Sequence, residues 1–407
     1  MIIMITASLP PLPSGGAELQ ALHLAERLNS KGVSVTFLTP GKGAVRGPAT
    51  LQGLPVYRFH SIFGRAFEFM SRRKKKGKKG PTIIEYDDKK EVVDRIASKV
   101  GWPTVVYYNI FFWHCLLFLW PRRRKVDIIH AHTMEWSAIV AARLGKMLGK
   151  PVLIKDSTMN GFASLARFPA GGRLQRIIIG KAHFVAMTAA IRANLLQAGV
   201  PAEKISRIPN GIPIPPQHLS EERPGDPPRV LFVGNLYQQP AKGVDILLKA
   251  WQEVVREHPT AVLDLVGDGD LPAYREYARS LGIDGTVYFH GRHSELQAYY
   301  RTATMFVLPS RREGMSNALM EAMLNGLPCV ATDISGNQDL IRSGINGLLV
   351  PAADIRALAQ AIGYVLAHRD EAILMGQKGR KTILEGLDID IIANRYIALY
   401  KELTAIS

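Results

Sequence analysis

Two carboxylates eight positions apart, Glu313 and Glu321, stand in the segment LPSRREGMSNALMEAM that begins at Leu308. An apolar run ends at Pro309 and a polar loop follows. Ser316 or Asn317 is placed to cap a helix that stops near Asn325-Gly326. Glu313 then lies in the loop and Glu321 on the first turns of the helix. The amides of Gly314, Met315, Ser316 and Asn317 fall at the positive end of the helix dipole, where a diphosphate binds well. A carboxylate offers only hydrogen-bond acceptors, so the two glutamates suit sugar and ribose hydroxyls on either side of that diphosphate.

A second constellation is His130 and His132. Two residues apart on a strand, they point to the same side. A metal pair is one use of that geometry, but the sequence offers no third ligand, so none is expected. His130 reads as a buried core residue and His132 as the one available at the strand's end. Asp268-Gly269-Asp270 has Asp-x-Asp spacing, yet it follows a strand as a turn and reads as structural.

These residues need strands and helices to hold them. In the first half, strands are expected at 2–7, 33–39, 127–130, 151–155 and 182–187, with helices at 16–29, near 136–148 and around 171–180. Residues 40–104 show no clear period. After the proline-rich connector IPNGIPIPP, which begins at Ile208, the pattern starts again. Strands are expected at 230–234, 261–266, 286–290, 305–309, 329–332 and 347–350, with helices at 244–257 and 296–302. Helices at 355–366, 372–384 and 389–403 close the chain. Apolar strands alternating with helices imply parallel sheets covered on both faces. The fold class is therefore α/β, two Rossmann-like doubly wound domains with a cleft between them as the expected site.

At 407 residues the chain has room for two such domains, and 47% hydrophobic with 21% charged residues is the composition of a folded protein. Its two cysteines, Cys115 and Cys329, do not make a disulfide framework and suit a reducing compartment. The net charge of +16 is uneven: residues 1–210 carry 32 Lys and Arg against 12 Asp and Glu, while 211–407 carry 19 against 23. Two runs, 72–79 (RRKKKGKK) and 122–125 (RRRK), concentrate it and point to an anionic surface. No nucleic-acid motif accompanies them, so no nucleic-acid partner is expected. The aromatic run 105–120 (VVYYNIFFWHCLLFLW) is short for a membrane span. It reads either as a buried helix of the first domain or as a helix partly sunk in an anionic membrane through 72–79 and 105–125. The N-terminus has no basic leader, and the expected location is cytoplasmic, peripheral on the inner face of the cytoplasmic membrane.

The segment with Glu313 and Glu321 resembles the E-x7-E signature of the retaining glycosyltransferases of family 4 type, which have the two-domain GT-B architecture. The resemblance spans nearly the whole chain. Gly15-Gly16-Ala17-Glu18 looks like the family's glycine loop, and VDIIHAH at 126–132 like its histidine strand. Ile208-Pro209-Asn210-Gly211 looks like its interdomain turn. Phe232-Val233-Gly234 with Lys242-Gly243 looks like the opening of its second domain, and Gly326-Leu327-Pro328 and Ala331-Thr332-Asp333 follow in the expected order.

That resemblance implies an acceptor-binding domain over 1–210 and a nucleotide-sugar domain over 211–388, the last helix, about 389–407, packing back on the first. It implies transfer with retention from a nucleotide-sugar, UDP- rather than GDP-linked, to a lipid-linked or polysaccharide acceptor in cell-surface glycan synthesis. No cofactor or divalent metal is implied. Glu321 would hold the ribose, Glu313 the sugar hydroxyls, and Gly314 to Asn317 would donate backbone bonds. Lys242 would neutralise the departing diphosphate. Gly16 would let the backbone approach the diphosphate, Arg292 and His293 would lie along the base, and His132 would face the sugar. One position departs from the family's pattern: Asn235 stands where an arginine is common, so either Lys242 carries the charge alone or one of Arg311, Arg312 and Arg292 reaches in. The alternatives are a sugar-nucleotide 2-epimerase of the same architecture, or an inactive relative that binds membrane or nucleic acid.

Overall fold

The computed structural model describes residues 1–12, 15–41, 45–59, 100–157, 161–168, 171–215, 226–237 and 240–405. The basic run 72–79 lies outside the described residues. Contacts divide the chain into two units: one runs to Gly211 and includes the C-terminal helix from Ile389, the other is Ile212–Asp388.

The first unit holds an eight-stranded sheet of order β3-β4-β2-β1-β5-β6-β7-β8. Its strands are β1 (Ile2–Ile5), β2 (Val35–Pro40), β3 (Gly47–Leu51), β4 (Leu54–Phe59), β5 (Ile128–Ala131), β6 (Val152–Asp156), β7 (Ala182–Ala186) and β8 (Ile205–Arg207). All neighbours are parallel except β3 and β4, which form an antiparallel hairpin. Among the described residues, that hairpin is what the unperiodic stretch after residue 40 concealed. From β1 the chain builds outward through β2 and β4, and from β5 outward through β6 to β8. The order therefore reverses between β1 and β5, and the loops at their carboxyl ends diverge there.

The second unit is a six-stranded, wholly parallel sheet of order β11-β10-β9-β12-β13-β14. Its strands are β9 (Arg229–Val233), β10 (Val262–Val266), β11 (Val287–Gly291), β12 (Met305–Leu308), β13 (Cys329–Thr332) and β14 (Leu348–Val350). The reversal falls between β9 and β12. Long runs of buried apolar residues, such as Met305 to Leu308, explain why these strands show no polar alternation.

The C-terminal helix Ile389–Ala405 belongs to the first unit because its apolar residues recur at helical spacing. Ile389, Ile392, Ala393, Tyr396, Leu399 and Tyr400 join the core formed by Leu22, Leu28, Val35 and Ile128. Asp390 adds an ion pair to Arg27 and another to Lys31 at 2.9 Å. The Tyr400 hydroxyl bonds Nδ1 of buried His130 at 2.8 Å. Tyr396 stacks on the same imidazole at 5.5 Å between ring centres, but its buried hydroxyl has no hydrogen-bond partner among the described residues. An unmet buried hydroxyl costs about 1–3 kcal/mol. Tyr396→Phe is therefore expected to raise unfolding free energy by about 1 kcal/mol in urea titration; a loss of stability would show that the hydroxyl is satisfied in solution.

Candidate active site

In the second unit the loops after β9 and β12 meet at the sheet's reversal point. The first ends in a short turn, Pro240–Lys242, and Gly243 then starts the helix Val244–Glu257 with φ +66°. A Cβ on Gly243 would stand 1.9 Å from the Pro309 carbonyl oxygen, so the turn tolerates no side chain there. The amide of Arg311 donates to the Ala241 carbonyl at 2.9 Å, which zips the two loops together. Across this seam the Lys242 ammonium pairs with Glu313, and the Ser310 hydroxyl donates to the same carboxylate oxygen at 2.9 Å. An ammonium has three protons, and Glu313 engages one of them. Lys242 can thus hold the carboxylate and still donate to a phosphate oxygen.

Beyond Glu313, Ser316 caps the helix Asn317–Leu324, its hydroxyl accepting the Leu319 amide at 3.3 Å. The cap lies at the positive end of that helix's dipole, which favours an anion. The turn is held from below by Gly336, where a Cβ would meet the Gly314 oxygen at 1.9 Å. Glu321 lies one turn in, and the Tyr300 hydroxyl donates to its Oε2 at 2.9 Å. Burial raises the Glu321 pKa, and the Tyr300 bond opposes that rise. Such a carboxylate gains from further donors such as hydroxyls.

The periphery departs from expectation in one respect. Arg311 is not a spare cation for the position of Asn235: its guanidinium is 6% exposed and bidentate to Asp245, with both bonds at 2.7 Å. A fork–fork pair of that kind is committed, because breaking it would leave a buried charge. Asn235 itself is exposed in the loop after β9. Arg292 and His293 follow β11 on the surface, and His293 Nε2 is 3.1 Å from the Tyr299 hydroxyl. Arg312 is half-buried beside Glu313 in the chain. Asp268-Gly269-Asp270 is a turn packed on the loop after β9: a Cβ on Gly269 would lie 2.1 Å from the Leu236 carbonyl carbon, and Asp268 accepts from the Tyr237 hydroxyl at 2.9 Å.

Gly16 and His132 lie in the first unit. Gly16 begins the helix Gly16–Ser30, and Glu18 accepts the Gly15 amide at 3.0 Å, fixing the turn that leads into it. His132 follows β5 directly, its amide bonded to the Ile5 carbonyl of β1 at 3.2 Å. The expected division between the histidines is not seen, since both are buried, at 0% and 1% exposure. Burial, with Lys155 nearby, lowers both pKa values, that of His130 to about 3, and both rings stay neutral.

Lys155 is the residue that sequence reading passed over. It is 2% exposed in the middle of β6, donates to Asn210 Oδ1 at 2.7 Å, and lies 3.5 Å from His132 Nε2. The ammonium can only donate, so Nε2 accepts and Nδ1 carries the ring proton. That Nδ1 is buried without a partner among the described residues. The available signal was a lysine inside the apolar run VLIKD, which a buried parallel strand does not accept without a purpose.

Residues 14–214 match the model of Glycosyltransferase Family 4, and residues 227–368 match that of Glycosyl transferases group 1. The D-inositol 3-phosphate glycosyltransferase of Frankia alni is 30% identical over 291 residues, covering 62% of this chain and 69% of that protein. The Escherichia coli UDP-Gal:alpha-D-GlcNAc-diphosphoundecaprenol alpha-1,3-galactosyltransferase is 26% identical, covering 68% and 76%. Against the first two curated relatives the chain spans about half their length, 43% and 51%. Anabaena HepE, solved with UDP, superposes with a TM-score of 0.72 at 18% identity, covering 98% of this chain and 99% of that one.

Burial holds the Lys155 pKa down to about 7 from an ordinary 10.5. Between those values the unfolded chain binds a proton that the folded chain has released, so stability rises with pH across that window. Denaturant titrations of wild type and Lys155→Met should diverge in favour of wild type from pH 7 to pH 10, by at most about 1.4 kcal/mol per pH unit. A flat difference would show that the folded ammonium keeps its charge through Asn210 and His132.

Proposed function

Since the chain belongs to the family 4 and group 1 glycosyltransferases, we propose that it transfers a sugar from a nucleotide-sugar to a lipid-linked or glycan acceptor, with retention at the anomeric carbon. One observation carries this reading. At the reversal point of the second sheet an ammonium, a carboxylate and a capped helix start lie together on two interlocked loops. That set matches a sugar diphosphate part by part: cation and amides for phosphate, acceptors for hydroxyls.

In the proposed step the bond between the anomeric carbon and the diphosphate oxygen breaks. The acceptor oxygen bonds to the same face of the sugar, and its proton passes to a diphosphate oxygen. Lys242 neutralises the charge that develops on the leaving group, a task this reading gives to lysine rather than to a divalent metal. Glu313 orients the sugar through its hydroxyls, and Glu321 takes the ribose. This reading takes the donor as a UDP-sugar, as the name of the Escherichia coli relative gives for that enzyme; the GDP-mannose-dependent mannosyltransferase of Mycolicibacterium smegmatis, 32% identical, is the competing precedent.

The same reading places the first unit on an anionic membrane. Along the helix Trp102–Leu119 the exposed residues Trp102, Val106, Trp113 and Leu117, with Trp120 just beyond, recur at spacings of three, four and seven and form one stripe. Trp102 is 72% and Leu117 71% exposed. The opposite face, Phe111, Phe112, Cys115, Leu116 and Leu119, is buried in the unit. By length and composition the stretch Trp102–Lys125 could cross a membrane, but a helix packed along one side suits an interfacial position. Arg122, Arg123, Arg124 and Lys125 are exposed at its end, where headgroups would lie.

A thermal-shift panel of UDP, GDP, ADP and their sugars tests the donor assignment. At a hundredfold excess over Kd the matching nucleotide adds about 2.7 kcal/mol. For units of this size that raises Tm by roughly 5–10 °C. Glu321→Ala should lose most of that shift. Glu313→Gln should keep it while turnover falls by about 10²–10³, the scale of one lost charge-stabilising contact. If no nucleotide or sugar moves Tm, the reading fails; equal loss of affinity in both variants would refute the division of roles.

A further inference from the structure

The inner side of the helix Trp102–Leu119 does not close fully on the first unit. Between it, the helix Trp136–Leu148 and the helix Gly171–Lys181 lies a cavity of about 240 Å³. Tyr108 and Trp136 form one wall, stacked at 4.3 Å with 9° between their planes. Ile139, Phe168 and Leu174 line the rest. A dry apolar cavity of about 150 Å³ is already large enough to take up benzene, so this one has room for a short hydrocarbon segment.

Two polar groups interrupt the apolar lining. Arg143 lies over the Phe112 ring at 3.8 Å and donates to Asn109 Oδ1 at 2.6 Å. Among the described residues no carboxylate stands within ion-pair distance of its guanidinium. Burial lowers its pKa, which records the cost of holding a cation there without a counter-charge. An apolar pocket with an uncompensated guanidinium is complementary to a chain that carries an anion at one end.

Placement narrows the occupant. Asn109 stands three residues from Val106 and four from Trp113, so the cavity's polar edge adjoins the exposed stripe of the same helix. At the other side Trp136 opens its helix four residues after His132, which directly follows β5. The cavity therefore lies between the proposed membrane stripe and the loops at the carboxyl end of β5.

From this we infer that the cavity binds the phosphate-proximal hydrocarbon segment of a lipid-linked acceptor, with Arg143 on the phosphate. The occupant is the substrate's own chain, a hydrocarbon esterified to phosphate, rather than a phospholipid of the surrounding bilayer. The phosphate sits at the polar edge beside the stripe, and the hydrocarbon segment fills the apolar part of the cavity toward Trp136. This deepens the reading of the preceding subsection and rests on it for the reaction, though not for the binding.

The test uses the full chain and dodecyl phosphate below its micellar concentration, with binding read calorimetrically. Wild type should bind it, whereas inorganic phosphate and dodecanol should each bind at least tenfold more weakly. Arg143→Gln should weaken dodecyl phosphate at least tenfold, and Ile139→Trp, which fills the cavity, should do the same. Where circular dichroism shows misfolding, Leu174→Trp replaces Ile139→Trp and Arg143→Met replaces Arg143→Gln. No binding by wild type, or binding indifferent to both the charge and the filling, overturns the inference. Sedimentation with phosphatidylglycerol vesicles separates the two sources of lipid. Ile139→Trp should sediment like wild type, and loss of vesicle binding in parallel with loss of dodecyl phosphate would make the bilayer lipid the occupant. The nucleotide panel on wild type reads the donor site separately, so a chain that binds dodecyl phosphate but no nucleotide would fail the proposed reaction and leave the pocket standing.

Discussion

The close approach of two loops in the second unit, those after β9 and β12, is the constraint on which the candidate site depends. A parallel sheet whose strand order reverses leaves a gap between the loops on either side of the reversal. Here that gap is drawn shut by backbone. The Arg311 amide bonds the Ala241 carbonyl, and Gly243 with φ +66° lets the Pro309 carbonyl come within a distance no side chain would allow. Only with the loops at that separation can the Lys242 ammonium reach Glu313. The ion pair is thus a consequence of glycine geometry as much as of charge. Its partly exposed lysine makes it a weak source of stability. Its value is positional, since it sets a cation and an acceptor at a fixed separation beside the helix capped by Ser316.

The first unit solves a comparable problem in the opposite way. Its reversal point, between β1 and β5, is backed by buried polar groups: His130, His132, Lys155 and Asn210. Burying a lysine beside two neutral imidazoles costs stability, and two of the atoms concerned, His130 Nε2 and His132 Nδ1, have no partner among the described residues. An apolar set would serve the core better, so the cluster calls for a functional account. Asn210 belongs to the turn that ends the unit's continuous stretch, and Lys155 ties it to the histidine strand. A change at that turn is thereby coupled to the ring orientation and tautomer of His132 without any long pathway.

Much of the fold was legible because its strands are parallel and doubly covered. Uninterrupted apolar runs such as MFVL and CVAT have few other uses, and the observed strands at 305–308 and 329–332 lie within a residue of the expected limits. Local signals also narrowed the cap to Ser316 or Asn317, of which the structure takes Ser316, and put Glu321 on the helix's first turns. The hairpin of β3 and β4 was not legible, because its edge strand is exposed and mixed in character, with burial on only one face of β4. At the site, sequence could name Lys242 and Glu313 but could not pair them, since 71 residues separate them and only the sheet order brings them together. The same long-range dependence concealed that Arg311 is spoken for by Asp245, 66 residues away.

A long aromatic run after a glycine and before four basic residues reads equally well as core or as surface. Folding resolves the ambiguity by assigning both roles to one helix. Phe111, Phe112, Cys115, Leu116 and Leu119 pack inward, and Trp102, Trp113, Leu117 and Trp120 stay outside. Because the run is apolar nearly all round, its pattern carries little amphipathic signal, and a hydropathy profile cannot separate the faces. What separates them is the shape of the surface beneath, where β4 and the helix Trp136–Leu148 offer a seat for only one side. The outer stripe then persists as exposed indole and leucine, a surface that water disfavours and a membrane interface accommodates. On the proposed reading, the part of this helix that the core cannot cover is the part offered to lipid.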